Sequence, residues 1–289
     1  MKILRFNGGR IGLVVDGTIR DVTEAAGVNP ADWPDVGMLR LIAAFEEKRE
    51  QLLQAAERAV GLPLDSVHVD TPVPWPNKLI AIPVNYHAHA LEMSSPAISK
   101  NGGFFVKSAA SLSGASDPVV LPDLPGRAFH HEAELAIVIG KRAHHVSREQ
   151  ALDYVFGYAC LLDMTVRGKQ ERAIRKSYDT FTPVGPWMVT SDEIPDPSAL
   201  RVQLWVNDEL RQDAYTRDMI IDVPEIVSMC ASVTTLEPGD VIATGTAEGV
   251  GPVVPGDTVT IEITPGVGRM SVQVVQGQGG SNIAMPHVL

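Results

Sequence analysis

His131-Glu132-Ala133-Glu134-Leu135-Ala136-Ile137-Val138-Ile139-Gly140 is the stretch that decides how this chain is read. Its run of Leu, Ile and Val marks a buried β-strand. Residues two apart in a strand share one face. Glu132 and Glu134 therefore point the same way, with Ala136 and Val138 continuing their face, while Ala133, Leu135, Ile137 and Ile139 take the other. Apolar residues on the glutamates' own face mean that this face is buried as well. Two carboxylates side by side there repel each other and lose hydration, which is costly unless a cation or a proton offsets it. A hard divalent cation is the simplest remedy, since Mg²⁺, Mn²⁺ and Ca²⁺ take oxygen ligands. Asp163 supplies a third carboxylate further along. Glu132, Glu134 and Asp163 would leave positions on an octahedral ion for water or substrate. The plainer alternative is a pair of solvated carboxylates on a half-exposed strand.

At 289 residues the chain can bury a large core, in one domain or in one with a small companion. A formal net charge of −11 argues against nucleic acid, whose phosphates demand a basic face, and against anionic membranes. An anionic substrate would then need a local positive site, which draws attention to a metal and to a few placed Lys and Arg. No apolar run approaches the roughly 18 residues of a bilayer span, and the start, Met1-Lys2-Ile3-Leu4-Arg5-Phe6, lacks a signal peptide's apolar segment. Cys160 and Cys230 are the only cysteines and build no disulfide framework, so a reducing cytoplasm is expected.

Residues 1–22 read as short strands with a hairpin turn at Asp16-Gly17. Apolar spacing predicts a helical region from Gly37 to about Val60. The alternating prolines of Thr71-Pro72-Val73-Pro74-Trp75-Pro76-Asn77 favour an extended linker and mark a boundary. We expect a small N-terminal domain over residues 1–72 and a β-rich one over 78–289. Within the latter the clearest helix is Ser147 to Phe156, with Ser147 and Gln150 as a capping box and Gly157 as its stop. Two Pro-Gly-Asp turns, Pro238–Asp240 and Pro255–Asp257, introduce apolar strands.

Three further groups could carry chemistry. His89 and Glu92, three apart on a helical turn, lie within reach of each other, and a carboxylate that orients an imidazole makes it a general base for water. His87 and His89 could instead form a metal pair on a strand, and an ordinary surface His–Glu contact is the plainer reading. Arg167, Gln170 and Lys176 follow Asp163 and could bind a substrate carboxylate or a developing oxyanion. Here the alternative is a basic surface helix, which Arg167, Lys169, Arg172, Arg175 and Lys176 support. Thr244-Gly245-Thr246-Ala247-Glu248-Gly249-Val250-Gly251 lacks the Lys of a phosphate-binding P-loop, yet could offer backbone N–H groups and the Thr246 hydroxyl to an anion. His130, His131, His144 and His145 read as loop histidines, with His131 facing away from the glutamates.

Taken together these residues resemble the fumarylacetoacetate hydrolase family. The pieces run from Asn85-Tyr86 with His89 and Glu92, through Phe105-Val106-Lys107 and the glutamate strand, to Asp163-Met164-Thr165-Val166-Arg167 and Gln170. Lys176, Gly185-Pro186-Trp187, Leu236-Glu237-Pro238-Gly239-Asp240 and Thr244-Gly245-Thr246 complete them. The resemblance covers about Lys78 to Val275. It departs from the family where Gly168 follows Arg167, where Ala247 follows Gly-Thr, where Ser108 and Ala109 follow Lys107, and in the short interval between Asp163 and Lys176. It implies an α+β, predominantly β fold, with a mixed β-sandwich or roll preceded by a small α/β domain. It implies a divalent metal on Glu132, Glu134 and Asp163, usually Mg²⁺, sometimes Mn²⁺ or Ca²⁺. It further implies a His89–Glu92 dyad on a lid, substrate contacts from Tyr86, Lys107, Arg167, Gln170, Lys176 and Thr246, and a homodimer.

The expected function is metal-dependent hydrolysis of a carbon–carbon bond in an acylpyruvate-like 1,3-diketo acid from aromatic catabolism. His89, held by Glu92, would take a proton from water, and Lys176 with Gln170 would stabilise the oxyanion. The alternatives are decarboxylation, isomerisation or hydration of a short 2-oxo acid, and, in another class, a non-catalytic metal- or ligand-binding protein.

Overall fold

The computed structural model describes residues 1–93 and 103–277, so the final residues of the expected 78–289 region, 278–289, lie outside the described residues. A twelve-stranded sheet forms the backbone of the molecule. Its path runs Gly61–Pro63, Thr18–Asp21, Arg10–Val15, Lys2–Phe6, Thr182–Thr190, Val155–Leu162, Ala133–Ile139, Val241–Ala243, Leu79–Ala81 and Phe105–Lys107. The N-terminal strands thus extend the same sheet as the β-rich part: Lys2 pairs with Val189 and Ile3 with Met188. Neighbours along the path are antiparallel except Val241–Ala243 with Leu79–Ala81. A second sheet of five strands is built from Arg201–Val206, Glu209–Tyr215, Thr258–Thr264, Gly268–Gln276 and Val119–Leu121.

The glutamate strand, Ala133–Ile139, is buried at every position, and its alternation divides two cores. Leu135, Ile137 and Ile139 face the side where the five-stranded sheet and the helix Val223–Val233 pack, with Ile226, Val227 and Ile261 in the same cluster. Ala136 and Val138 face the other core, with Leu41, Ile42 and Leu52 of the helices Gly37–Ala43 and Phe45–Arg58. A strand covered on both faces must be apolar at both parities, which is why it reads as a continuous apolar run. The glutamates stand at the end where that cover stops.

Local signals fared unequally. The Asp16-Gly17 hairpin forms, with both residues at positive φ (50° and 72°), as the turn between such strands requires. Both Pro-Gly-Asp turns introduce strands, and in each the aspartate accepts a bond from the backbone N–H three residues earlier. The helical region from Gly37 to Val60 is two helices broken at Ala44; the break lets Phe45 stack edge-on against Phe156, 4.9 Å between centroids. The helix expected over Ser147–Phe156 is instead a short 3-10 stretch, Arg148–Tyr154, running straight into the strand Val155–Leu162. Ser147 makes no side-chain cap, and Gly157 stops nothing: it sits within that strand, where an added Cβ would lie 2.0 Å from the Val189 carbonyl oxygen. Sheet pairing on both edges overrode the capping pattern.

Candidate active site

Strand register assembles the acidic trio. Ala133 pairs with Leu162, and the Asp163 N–H donates to the Glu132 carbonyl at 2.9 Å, so Asp163 stands opposite Glu132. Glu132, Glu134 and Asp163 are 6%, 2% and 1% exposed, and each brings an oxygen to within 4.8 Å of the others. The solvated-carboxylate reading is therefore excluded. Glu134 is anchored through Oε2 by the Gly245 N–H at 2.7 Å. Gly245 must be glycine: its φ is +91°, and a Cβ would meet the Asn85 Cβ at 2.7 Å.

Two lysines answer the charge. Lys107 donates to Asp163 Oδ1 at 2.5 Å, and Lys176 donates to Glu132 Oε2 at 2.5 Å and to Asp163 Oδ2. Burial drives the Asp163 carboxyl up, but the Lys107 and Lys176 ammoniums outweigh it and hold the group below its usual range. Burial works against the Lys176 ammonium too, yet Asp163 and Glu132 raise its pKa above the ordinary lysine value. Lys107 is drawn down by burial against the pull of Asp163. Glu134 has no lysine bond; burial, then Asp163, pushes its carboxyl well above the usual range. Three buried oxygen donors, one of them left with uncompensated cost, fit a hard divalent cation and not a thiolate- or imidazole-seeking one.

The expected His89–Glu92 pair is in contact. The helix His87–Glu92 places His89 Nδ1 2.9 Å from Glu92 Oε2, with His89 buried, and the Gly249 N–H donates to the other Glu92 oxygen at 3.1 Å. His89 and Glu92 are thus tied to the glycine-rich loop. His87 is exposed while His89 is buried, and both lie on the helix His87–Glu92 instead of the strand that a metal pair was expected to use. Asn85, fully buried, holds this corner: its side chain bonds Ile221 and Thr244, and it supports Val84 at the unusual φ of +41°.

His89, Glu132, Glu134, Arg167, Lys176 and Thr246 line one cavity of about 280 Å³, together with Arg172, Arg175, Met93 and Phe105. Other expected contacts stand elsewhere. Gln170 is turned from the cavity wall because its amide oxygen accepts from Arg127 at 2.6 Å. Lys107 lies behind Asp163, and Tyr86 is packed in the core with its phenol pKa raised by burial. The Thr246 hydroxyl donates to the Ala133 carbonyl at 2.9 Å, so its proton is committed to the glutamate strand.

Sequence reading missed three residues here. Arg172 and Arg175, read as part of a basic surface helix, face the cavity; of that set Lys169 is exposed. Gln212, 2% exposed, comes from the second sheet: its amide donates to Thr246 Oγ1 at 2.8 Å and accepts from the Ala133 N–H at 2.9 Å. It also faces His131 Nδ1 at 3.3 Å. His131 stands in the link between the strands Phe129–His130 and Ala133–Ile139, as a loop histidine, but it is fully buried, and burial lowers its pKa to about 4. No local pattern marks Gln212, because its partners come from distant segments.

Comparison with known proteins now adds to this geometry. The family model for the fumarylacetoacetate (FAA) hydrolase C-terminal region matches residues 78–275. A maleylpyruvate hydrolase from Aquipseudomonas alcaligenes is 44% identical over 289 residues, 95% of this chain and 99% of its own length. The crystal structure of maleylpyruvate hydrolase from Sphingobium sp. SYK-6 in complex with manganese(II) ion and pyruvate superposes with a TM-score of 0.89 at 54% identity, covering 96% of this chain and 100% of that one. An oxaloacetate tautomerase from Bacillus subtilis is 40% identical over 224 residues, 73% of this chain and 74% of its own.

Proposed function

The chain belongs to the fumarylacetoacetate hydrolase family, and from that premise we propose that it hydrolyses a carbon–carbon bond in an acylpyruvate-like 1,3-diketo acid. The observation that carries this is the meeting, around one cavity, of Glu132 and Glu134 with Asp163 grouped beside them, an imidazole held by a carboxylate, and cationic donors. Glu132, Glu134 and Asp163 would hold a divalent ion, whose Lewis acidity favours negative charge on the oxygens of a 2-oxo acid. Mn²⁺ or Mg²⁺ suits this donor set, and a manganese-bound relative supports the first.

The chain's own groups divide the proton work. Glu92 accepts at His89 Nδ1, which leaves Nε2 with its lone pair to take a proton from water. The water oxygen bonds to the distal carbonyl carbon. Lys176 spends two of its three N–H donors on Glu132 and Asp163, and the third is left for the oxyanion that forms. When the carbon–carbon bond breaks, the carboxylic acid departs, and the proton held on His89 goes to the methylene carbon of the pyruvate fragment. Atoms balance as substrate plus water giving acid plus pyruvate.

A second reading is keto–enol tautomerisation or decarboxylation without hydrolysis, favoured by the 40% identity to the tautomerase. Incubating the Mn²⁺-loaded protein with maleylpyruvate separates them. Equimolar maleate and pyruvate are expected, with His89→Ala lowering kcat about 10²- to 10⁴-fold. Carbon dioxide, or a shifted enol absorbance with no pyruvate, would replace the hydrolase reading by the second one. We further propose a cytoplasmic homodimer serving aromatic catabolism, on the strength of the family resemblance; sedimentation at micromolar concentration checks the pairing.

A further inference from the structure

Arg172 stands in the cavity wall, half-buried, with no side-chain hydrogen bond or ion pair among the described residues. Its neighbours are differently placed. Arg175 Nε donates to the Gln170 carbonyl at 2.8 Å, and Arg167 Nε donates to His130 Nδ1 at 2.9 Å. The charged members of the trio are already answered, Glu132 by Lys176 and Asp163 by Lys107 and Lys176, while burial and Asp163 push the Glu134 carboxyl toward its neutral form. Only Arg167 reaches toward one, 3.9 Å from Glu132. A divalent ion on the trio would add two more positive charges. Arg172 is then a cation with no carboxylate partner among the described residues, and for Arg175 burial, then Arg167, outweighs the pull of Glu132 and draws its pKa down. A partly dehydrated cluster of this kind requires an anionic ligand.

One carboxylate, that of the 2-oxo acid head, is consumed at the metal and cannot serve this cluster as well. We propose that Arg172, beside Arg175, reads the second carboxylate of a dianionic acylpyruvate such as maleylpyruvate and so sets specificity for the acyl tail. The inference rests on the hydrolase reading and adds to it the residue that selects the tail by its charge. Arg presents a planar fork of donors that matches a carboxylate, a geometry Lys lacks.

The test compares the Mn²⁺-loaded parent with Arg172→Met and Arg172→Lys. For turnover, kcat/KM is measured on a pair of acylpyruvates alike except that one ends in a carboxylate and the other in its primary amide. The parent is expected to prefer the dianion, Arg172→Met to lower that preference about 10- to 100-fold, chiefly through KM, and Arg172→Lys to restore part of it. For binding, which needs no turnover, 2-oxoadipate is compared with 2-oxohexanoate by calorimetry on the same three proteins, with the same order expected. If the parent hydrolyses neither acylpyruvate but its 2-oxoadipate preference is lost in Arg172→Met, the hydrolase reading falls and the dianion site stands. A parent without preference, or a preference that survives Arg172→Met, overturns the proposal; because only ratios are compared, a general loss of folded protein cannot mimic either result.

Discussion

Replacing Glu134 by Gln removes a charge that the surrounding protein opposes while keeping an oxygen for the Gly245 N–H. Stability and metal binding should therefore move in opposite directions. The metal-free Glu134→Gln protein is expected to melt no lower than the parent, while its Mn²⁺ affinity falls by at least about 10- to 100-fold, the scale on which losing a mere supporting contact to a ligand already acts. Calorimetric melting and manganese titration followed by electron paramagnetic resonance give the two numbers. A variant that melts several degrees lower would mean that Glu134 stabilises the fold as an anion, the reverse of the expected sign. The glutamate pair and the His89–Glu92 pair were legible from residue type and spacing, because period two and the helical turn are local rules, whereas strand pairing brings Asp163 to them. Gln170 shows the limit: its spacing puts it near Arg167, but Arg127, forty-three residues earlier, claims its amide.

Strands and turns carry the trio into place, and Gln212 is the clip between them. Bonds to Thr246 Oγ1, to the Ala247 carbonyl at 2.9 Å and from the Ala133 N–H join the second sheet, the glycine-rich loop and the glutamate strand. Gln212→Leu keeps the volume and removes all of these, leaving the buried Ala133 N–H without a partner, at a cost of about 1–3 kcal/mol. A Tm lowered by several degrees together with weaker Mn²⁺ binding is expected. If the melting point fell and metal affinity did not change, the clip would be structural alone. Element prediction failed where pairing competed with local preference. The Ser147–Gln150 pattern promised a helix, yet Val155–Leu162 was already committed to partners on both sides, and Gly157 was required by the close approach of Val189.

For the whole molecule a divalent ion on the trio would be a stability term with a definite sign in pH. Glu134, raised by burial and then by Asp163, holds its proton more tightly in the folded chain than in the unfolded one. A group raised in this way favours the fold on the acid side, and that advantage is lost as pH rises through the folded pKa. Asp163 is lowered, so its contribution is complete above the ordinary aspartate range and stays constant there. Chelation should accordingly lower Tm more at pH 8 than at pH 5.5, since a bound cation replaces the proton that high pH removes. Scanning calorimetry with Mn²⁺ and with EDTA at both pH values checks this; a gap that stays constant or narrows with pH contradicts it. Turnover should vanish with EDTA and return with Mn²⁺.

By itself the sequence determined the β-rich character, the doubly covered glutamate strand, the hairpin and proline-glycine turns, and the acidic and imidazole residues proposed for the metal and the base. Each follows from periodicity or from a turn within a few positions, which the chain states locally. Tertiary structure alone decided that the N-terminal strands join the main sheet, that Lys107 and Lys176 lie on the carboxylates, that Gln212 clips the site from the second sheet, and that Arg172 and Arg175 face inward. Those facts depend on which distant segments meet. That choice is made by burying two apolar faces at once, and no single stretch of the chain encodes it.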